Sequence, residues 1–253
     1  MRSKLVTSHV WQGTVPARSF VRASGDVYVA TPELCVIQEA GSLEFAQTVC
    51  LAYELCGTYS LRESSMAGFV TRPPLTDPEK LNAFLDVVAG LRGIGTVRRV
   101  LRLVLRGSAS PMETVVVILL CFPCSLGGYG LPWPILNHRI DVGKASRMVE
   151  KGFYRCDLCW PDEKIAIEYD SDLFHTGSSR IARDSKRRND LISLGYEVMT
   201  VTKGQVFDYG AFDRFARQFA KRAGFRIRER VADCDVRRRD LRANLFAAMR
   251  YPA

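Results

Sequence analysis

A chain of 253 residues is long enough to bury a large core, in one domain or two, and its 47% hydrophobic content is that of a globular protein. No apolar run approaches a membrane span, the N-terminal residues lack the apolar stretch of a secretory signal, and no basic helix shows a broad apolar face. A cytoplasmic protein without a membrane partner is therefore expected, and the net charge of +9 points to an anionic partner, for which nucleic acid fits best.

In the first part of the chain, residues 4–11 and 19–29 alternate polar and apolar side chains and predict small strands, punctuated by Gly13, Pro16 and Gly25. Thr31, Pro32 and Glu33 supply an N-cap hydroxyl, a first-turn proline and an acid, so a helix runs from there to Glu39. A second helix is predicted over residues 42–56, between Gly41 and Gly57, with Phe45, Val49, Ala52 and Tyr53 as its apolar stripe. Residues 58–76 read as a loop or irregular strands. Asp77 and Pro78 start a helix that reaches Ala89. A short helix over 96–105 packs Val97, Val100, Leu101 and Val104. Its arginines 98, 99, 102 and 106 form either a solvated face or a phosphate-binding cluster.

Residues 107–110 are a small, flexible boundary. Ser110, Pro111 and Glu113 start the next helix, whose buried body is 115–122. Glu113 reads either as an acid favoured by the helix dipole or as a carboxylate aimed at a site. Pro123 ends the helix, and a glycine- and proline-rich loop leads to a strand at 135–142 and a basic connector with Lys144, Arg147 and Lys151.

Residues 153–160 alternate Phe153, Arg155, Asp157 and Cys159 on one side with Tyr154, Cys156, Leu158 and Trp160 on the other. After a turn at Pro161, residues 164–170 place Ile165, Ile167 and Tyr169 on one face and Ala166, Glu168 and Asp170 on the opposite one. The pair reads as an antiparallel hairpin. If Asp157 shares a side with Glu168 and Asp170, three carboxylates converge, and they repel unless a cation sits between them. Hard oxygen donors suit Mg²⁺, Mn²⁺ or Ca²⁺, the setting for metal-assisted phosphodiester hydrolysis. The rival reading is a structural network of these acids with Arg155, Arg187 and Arg188.

Ser178 or Ser179 caps a charged helix ending at Leu194, stopped by Gly195; a strand follows at 196–202. Residues 207–222 form an amphipathic helix with Phe212, Phe215 and Phe219 in the core. Residues 225–251 are helical and rich in arginine, either a nucleic-acid-binding arm or a partly ordered, solvated tail. The eight cysteines read as reduced thiols. Cys121-x-x-Cys124 and Cys156-x-x-Cys159 have zinc-like spacing, but strand alternation sends Cys156 and Cys159 to opposite faces, which favours buried thiols.

Taken together, Ser110–Glu113, Gly130–Pro134, Cys156–Trp160, Ile167–His175 and Asp184–Gly195 resemble the pattern S-x-x-E, G-L-P-x-P, x-D-x-x-W, x-x-E-x-D-G-x-x-H and D-x-x-R-x-x-x-L-x-x-x-G, with His175 one residue beyond the place of the pattern's histidine. This resembles the Vsr-like endonuclease-domain family, a branch of the PD-(D/E)XK restriction-endonuclease-like superfamily. The likeness covers residues 107–205. The segment V-Y-V-A-T-P-E-L-C is similar to the region upstream of such domains in proteins likened to AbiEi-type antitoxins. The chain departs from the pattern at Asp170, where the superfamily has lysine, at Ser171 in place of glycine, and at Thr200 in place of arginine.

The resemblance implies an α/β (α+β) chain. A small, mostly helical domain spans 1–106, a restriction-endonuclease-like mixed sheet flanked by helices spans 107–224, and a basic helical tail spans 225–253. The expected function is a Mg²⁺- or Mn²⁺-dependent DNA nuclease in repair, restriction or phage defence. Asp157, Glu168 and Asp170 would hold the metal, with Glu113 and His175 completing the catalytic set. Arg180, Arg183, Lys186 and Arg187 would contact DNA, and a homodimer is left open. The alternatives are a non-catalytic DNA-binding or antitoxin-like regulator on a degenerate nuclease fold, and a zinc-stabilised interaction module.

Overall fold

The computed structural model describes residues 15–142, 152–170, 178–229 and 231–249, with the backbone alone for 178–184. The strand expected at 4–11, the connector cations Lys144, Arg147 and Lys151, and His175 lie outside the described residues.

The predicted small strands at 19–29 form an antiparallel hairpin of β1 (Phe20–Ser24) and β2 (Val27–Ala30). Thr31 then precedes α1 (Pro32–Glu39). The next helix, α2 (Phe45–Cys56), starts later than expected because Glu44 and Gln47 form its capping box. Residues 58–76 contain a true hairpin, β3 (Tyr59–Leu61) with β4 (Phe69–Thr71). Asp77 caps α3 (Pro78–Val87) through the Lys80 N–H. Gly93, at a φ of 99°, sets the start of α4 (Ile94–Leu101), a shorter helix than expected.

Every residue of α5 (Pro111–Cys121) is buried, and Ser110 caps it by accepting the Glu113 N–H. The chain then builds β5 (Ile135–Asp141), β6 (Phe153–Trp160), β7 (Ile165–Asp170), α6 (Ser178–Ser193) and β8 (Glu197–Thr202). These strands form one mixed sheet in the order β5-β6-β7-β8. The first three run antiparallel through hairpin connections; β8 lies parallel to β7 because α6 returns the chain to the same end of the sheet. Gly195, at a φ of 83°, ends α6, and the Tyr196 N–H closes back on the Leu191 carbonyl at 2.9 Å. A short helix that was not expected, α7 (Lys203–Phe207), with a Thr202–Gln205 capping box, precedes the helix expected at 207–222, which is α8 (Tyr209–Arg222), capped by Asp208.

The sheet separates two apolar layers. The larger one joins α1–α5 to the sheet face of Leu158, Trp160, Ile165 and Ile167 and to Phe212, Phe215 and Phe219 of α8. This is the core role expected for the three phenylalanines. The smaller layer holds Tyr154, Cys156, Cys159, Ala166, Leu191 and Tyr196. Cys156 and Cys159 therefore share a side, against the expectation from strict alternation. The cause is a break in β5: Asn137 has a φ of 49°, and the regular β5–β6 pairing omits it.

The C-terminal region is not a loose tail. It forms α9 (Cys234–Ala248), which buries Leu245 and Phe246 in the main core. Arg238 is 1% exposed, stacked 4.2 Å from the Tyr129 ring and paired with Glu229 and Asp235. Arg242 donates to the Val206 carbonyl and lies over the Phe246 ring. Gly127 permits the docking, since a Cβ there would come within 2.3 Å of the Arg237 carbonyl oxygen. A disulfide joins Cys124 to Cys234 across 110 residues. This corrects the reading of eight reduced thiols and removes Cys124 from the zinc-like pair. The remaining pair, Cys156 and Cys159, is buried, and burial pushes the Cys159 thiol up to about 12. Among the described residues, no helix is long and apolar enough to cross a membrane.

Candidate functional site

The site lies where the sheet forks. The backbone ladder between β6 and β7 consists of Trp160↔Ile165, Cys159↔Ala166 and Leu158↔Ile167, and stops there. β6 continues along β5 to Phe153, and β7 continues along β8 to Asp170. The acids sit at this parting. One step beyond the last pair, Asp157 faces Glu168, and the Asp157 carboxylate takes the place of a backbone partner, with Oδ2 accepting the Tyr169 N–H at 2.8 Å. An open groove of about 700 Å³ covers the fork, lined by Arg155, Asp157, Glu168 and Asp170 from the sheet and by Arg187 and Arg188 from α6.

Glu113 approaches from α5. Its carboxylate is 7% exposed, and Oε2 accepts the Ala109 N–H at 2.9 Å and the Asn137 side-chain amide at 2.6 Å. The backbone cap at Ser110 and the carboxylate contact are thus separate: the helix-start reading and the site reading of Glu113 both hold as geometry. Burial raises the Glu113 pKa against the hydrogen bonds from Ala109, Asn137 and Ser110, and Glu168 adds to the rise. Burial likewise pushes Asp157 up to about 8, with the charges of Glu168 and Glu113 adding to it and the Tyr169 N–H and Arg187 opposing it.

Arg187 reaches into the same space. One of its nitrogens lies 2.7 Å from Glu168 Oε1 and also donates to the Arg155 carbonyl. Burial works against the guanidinium charge, but Glu168 outweighs it and holds Arg187 above its ordinary value. Arg187 is thus the partner of Glu168 while it also lines the groove. Arg188 hydrogen-bonds Thr200 at 2.8 Å. Arg155 and Arg188 make no ion pair among the described residues, and both line the groove.

The expected trio of Asp157, Glu168 and Asp170 lines one groove. Glu113, Asp157 and Glu168 share one field, whereas Asp170 is exposed and lines the groove. Lys186 is exposed on α6. The side chains of Arg180 and Arg183 lie outside the described residues. Asn137 was missed by sequence reasoning; an asparagine inside a predicted strand, where that residue is depleted, was the available signal.

The donor set suits a hard divalent cation in kind: carboxylate oxygens, one of which, Asp157 Oδ1, accepts no hydrogen bond among the described residues. In their present arrangement, no three His, Cys, Asp or Glu side chains among the described residues are gathered closely enough to hold an ion. Glu168 is drawn to Arg187, and Glu113 to Asn137 and Ala109.

No family model matches the chain, and no solved structure does. Two uncharacterized proteins from two strains of Mycobacterium tuberculosis are each 30% identical to it over 117 residues, covering 46% of this chain and 39% of theirs. The chain thus matches about two fifths of the length of these relatives, and the similarity carries no stated activity.

Proposed function

We propose that this chain is a metal-dependent nuclease acting on DNA, built on a restriction-endonuclease-like fold of the Vsr-like kind. The observation that carries the reading is the set of Asp157, Glu168 and Asp170 lining one groove whose arginines can take phosphate, with the buried Glu113 of α5 acting on Asp157 from behind it. Burial and crowding make Asp157 hold its proton to about pH 8, a proton that a bound cation would displace. Asp157 and Glu168 would hold Mg²⁺ or Mn²⁺, which when bound would supply an activated water and neutralise charge on the phosphate. Glu113 would orient that water from the α5 side, and Asp170 would face the substrate from the groove wall. Arg155 and Arg188 would grip backbone phosphates, which position a duplex without reading its sequence. Arg187 would act as the counter-ion of Glu168 while no metal is present. His175 is the proposed proton carrier.

The test is calorimetric titration with Mg²⁺ and Mn²⁺, followed by a plasmid nicking assay. Binding of one cation and nicking that Asp157→Asn abolishes are expected. Failure of both ions to bind would end the metal-dependent reading.

A second reading, a non-catalytic DNA-binding or antitoxin-like regulator, draws on two features. Asp170 stands where the superfamily has lysine, and Arg187 already neutralises Glu168. It expects salt-sensitive DNA binding with no cleavage under either ion.

A further inference from the structure

The hairpin of β1 and β2 leaves its apolar side chains in water. Phe20, Val21, Val27, Tyr28 and Val29 are 47–60% exposed, five of the thirteen large apolar side chains that stand exposed among the described residues. The other hairpin differs, since β3 buries Tyr59 completely. Of β1 and β2, only Ala30 packs against the main core. A free two-stranded hairpin is marginal in water, and three or more strands are the usual stable unit. The backbone shows where a strand can be added. The Thr31 N–H donates to the Ser19 carbonyl at 2.9 Å, and the pairing runs on through Phe20↔Ala30, Val21↔Val29 and Arg22↔Tyr28. By the alternation of an antiparallel ladder, Val29 bonds inward to Val21, and the backbone groups of Tyr28 and Ala30 turn to the outer edge. No other strand among the described residues pairs with that edge. The two edges of the hairpin are unlike. β2 reads Val-Tyr-Val-Ala, with no charge or proline to block a neighbour. β1 carries Arg22 in its middle, a charge that repels its own copy if that edge pairs with itself.

We propose that the β1–β2 hairpin is an interface for a second copy of this chain, formed by antiparallel pairing of β2 with its counterpart into a four-stranded sheet. A strand that pairs antiparallel with itself is two-fold symmetric, so one patch serves both copies and the contact closes. The outer strands of the joined sheet are then both β1, where Arg22 opposes growth beyond two copies. The five exposed side chains amount to roughly 500 Å². Two such patches reach at most about 1,000 Å², the lower limit for a specific interface, so the dimer is one that comes apart on dilution. The uncharged edge of β2 favours a second copy over an anionic partner such as nucleic acid, for which it offers no cation. The proposal does not depend on the nuclease reading.

The test is sedimentation equilibrium of the full chain over a dilution series, on wild type, Tyr28→Lys and Arg22→Thr. Wild type is expected to pass from 28.4 kDa to twice that mass as concentration rises. Tyr28→Lys sets two like charges against each other at the seam and should stay at 28.4 kDa throughout. Arg22→Thr, on the outer strand, should keep the dimer or grow past it. A wild type that is monomeric at every concentration, a dimer that survives Tyr28→Lys, or monomers from Arg22→Thr would each overturn the proposal. So would a wild type that gains mass only when a single-stranded oligonucleotide is added, with the gain lost in Tyr28→Lys, since the hairpin would then serve nucleic acid. Should Tyr28→Lys fail to fold, hydrogen exchange on wild type decides. The Tyr28 and Ala30 amides are expected to be protected at high concentration and released on dilution. Protection that is absent, or the same at every concentration, refutes pairing with a second copy.

Discussion

Replacing Asp157 with asparagine should reverse its effect on stability between acid and neutral pH. In the metal-free protein, burial first, then the charges of Glu168 and Glu113, lift the Asp157 pKa from 3.8 to about 8. A folded pKa above the unfolded one means that the native state keeps a proton the unfolded chain has lost. That stabilisation is fully present below the unfolded value and disappears as pH rises through the folded one. Between the two the slope is about 1.4 kcal/mol per pH unit, so wild type should lose about 3 kcal/mol from pH 5 to pH 7 through this group. Asparagine keeps an oxygen for the Tyr169 N–H and never ionises, so the variant should lack this slope. Urea unfolding of both proteins in EDTA at several pH values measures the difference. Wild type should gain on the variant toward pH 5 and fall behind it toward pH 7. Adding Mn²⁺ at neutral pH should restore wild type by linkage and leave the variant unchanged. Parallel stability curves for the two proteins would refute the account of a crowded, uncompensated acid site.

Removing the Glu168 counter-ion with Arg187→Met should cost about 1 kcal/mol in the metal-free protein, because the pair is partly solvated. It should tighten Mn²⁺ binding by removing a competing cation; a weaker calorimetric affinity would show instead that Arg187 supports the ligands. Charge reversal at Arg155 and Arg188 should lower the slope of log affinity against log salt by about 1 for each phosphate no longer neutralised, measured by fluorescence anisotropy with duplex DNA. An unchanged slope would remove both residues from the interface. Cys124→Ser should cost about 4 kcal/mol under oxidising conditions, from the entropy of a cross-link spanning 110 residues, and nothing once reductant is present. Equal urea midpoints for wild type and variant without reductant would show that the two thiols do not pair.

Local periodicity made much of the framework legible. Alternation at 153–160 and 164–170 marked two strands, and the Ser110 and Asp77 caps marked helix starts, because these patterns depend on neighbours a few residues apart. Asp157 and Glu168 were legible as partners for the same reason: a hairpin with a short turn sets its own register.

Tertiary structure decided what those acids face. The burial of Arg238 and Arg242 depends on rings at Tyr129 and Phe246, and the disulfide on a partner 110 residues away. Glu113 is bonded by Asn137, from a strand distant in the chain, and its burial beside the sheet places it in the field of Asp157; its own surroundings in the sequence fitted a helix start equally well. Asp170 lines the groove with Asp157 and Glu168, at its exposed end, since β7 carries on beside β8 after parting from β6. Strict alternation also failed at Asp157. One left-handed residue on the neighbouring strand breaks the pairing, and nothing in the β6 sequence encodes it. Residue patterns thus determined which segments are strands and helices, through interactions within each segment. Which carboxylates share a field, and which arginine neutralises them, was decided by contacts between segments that only the folded chain brings together.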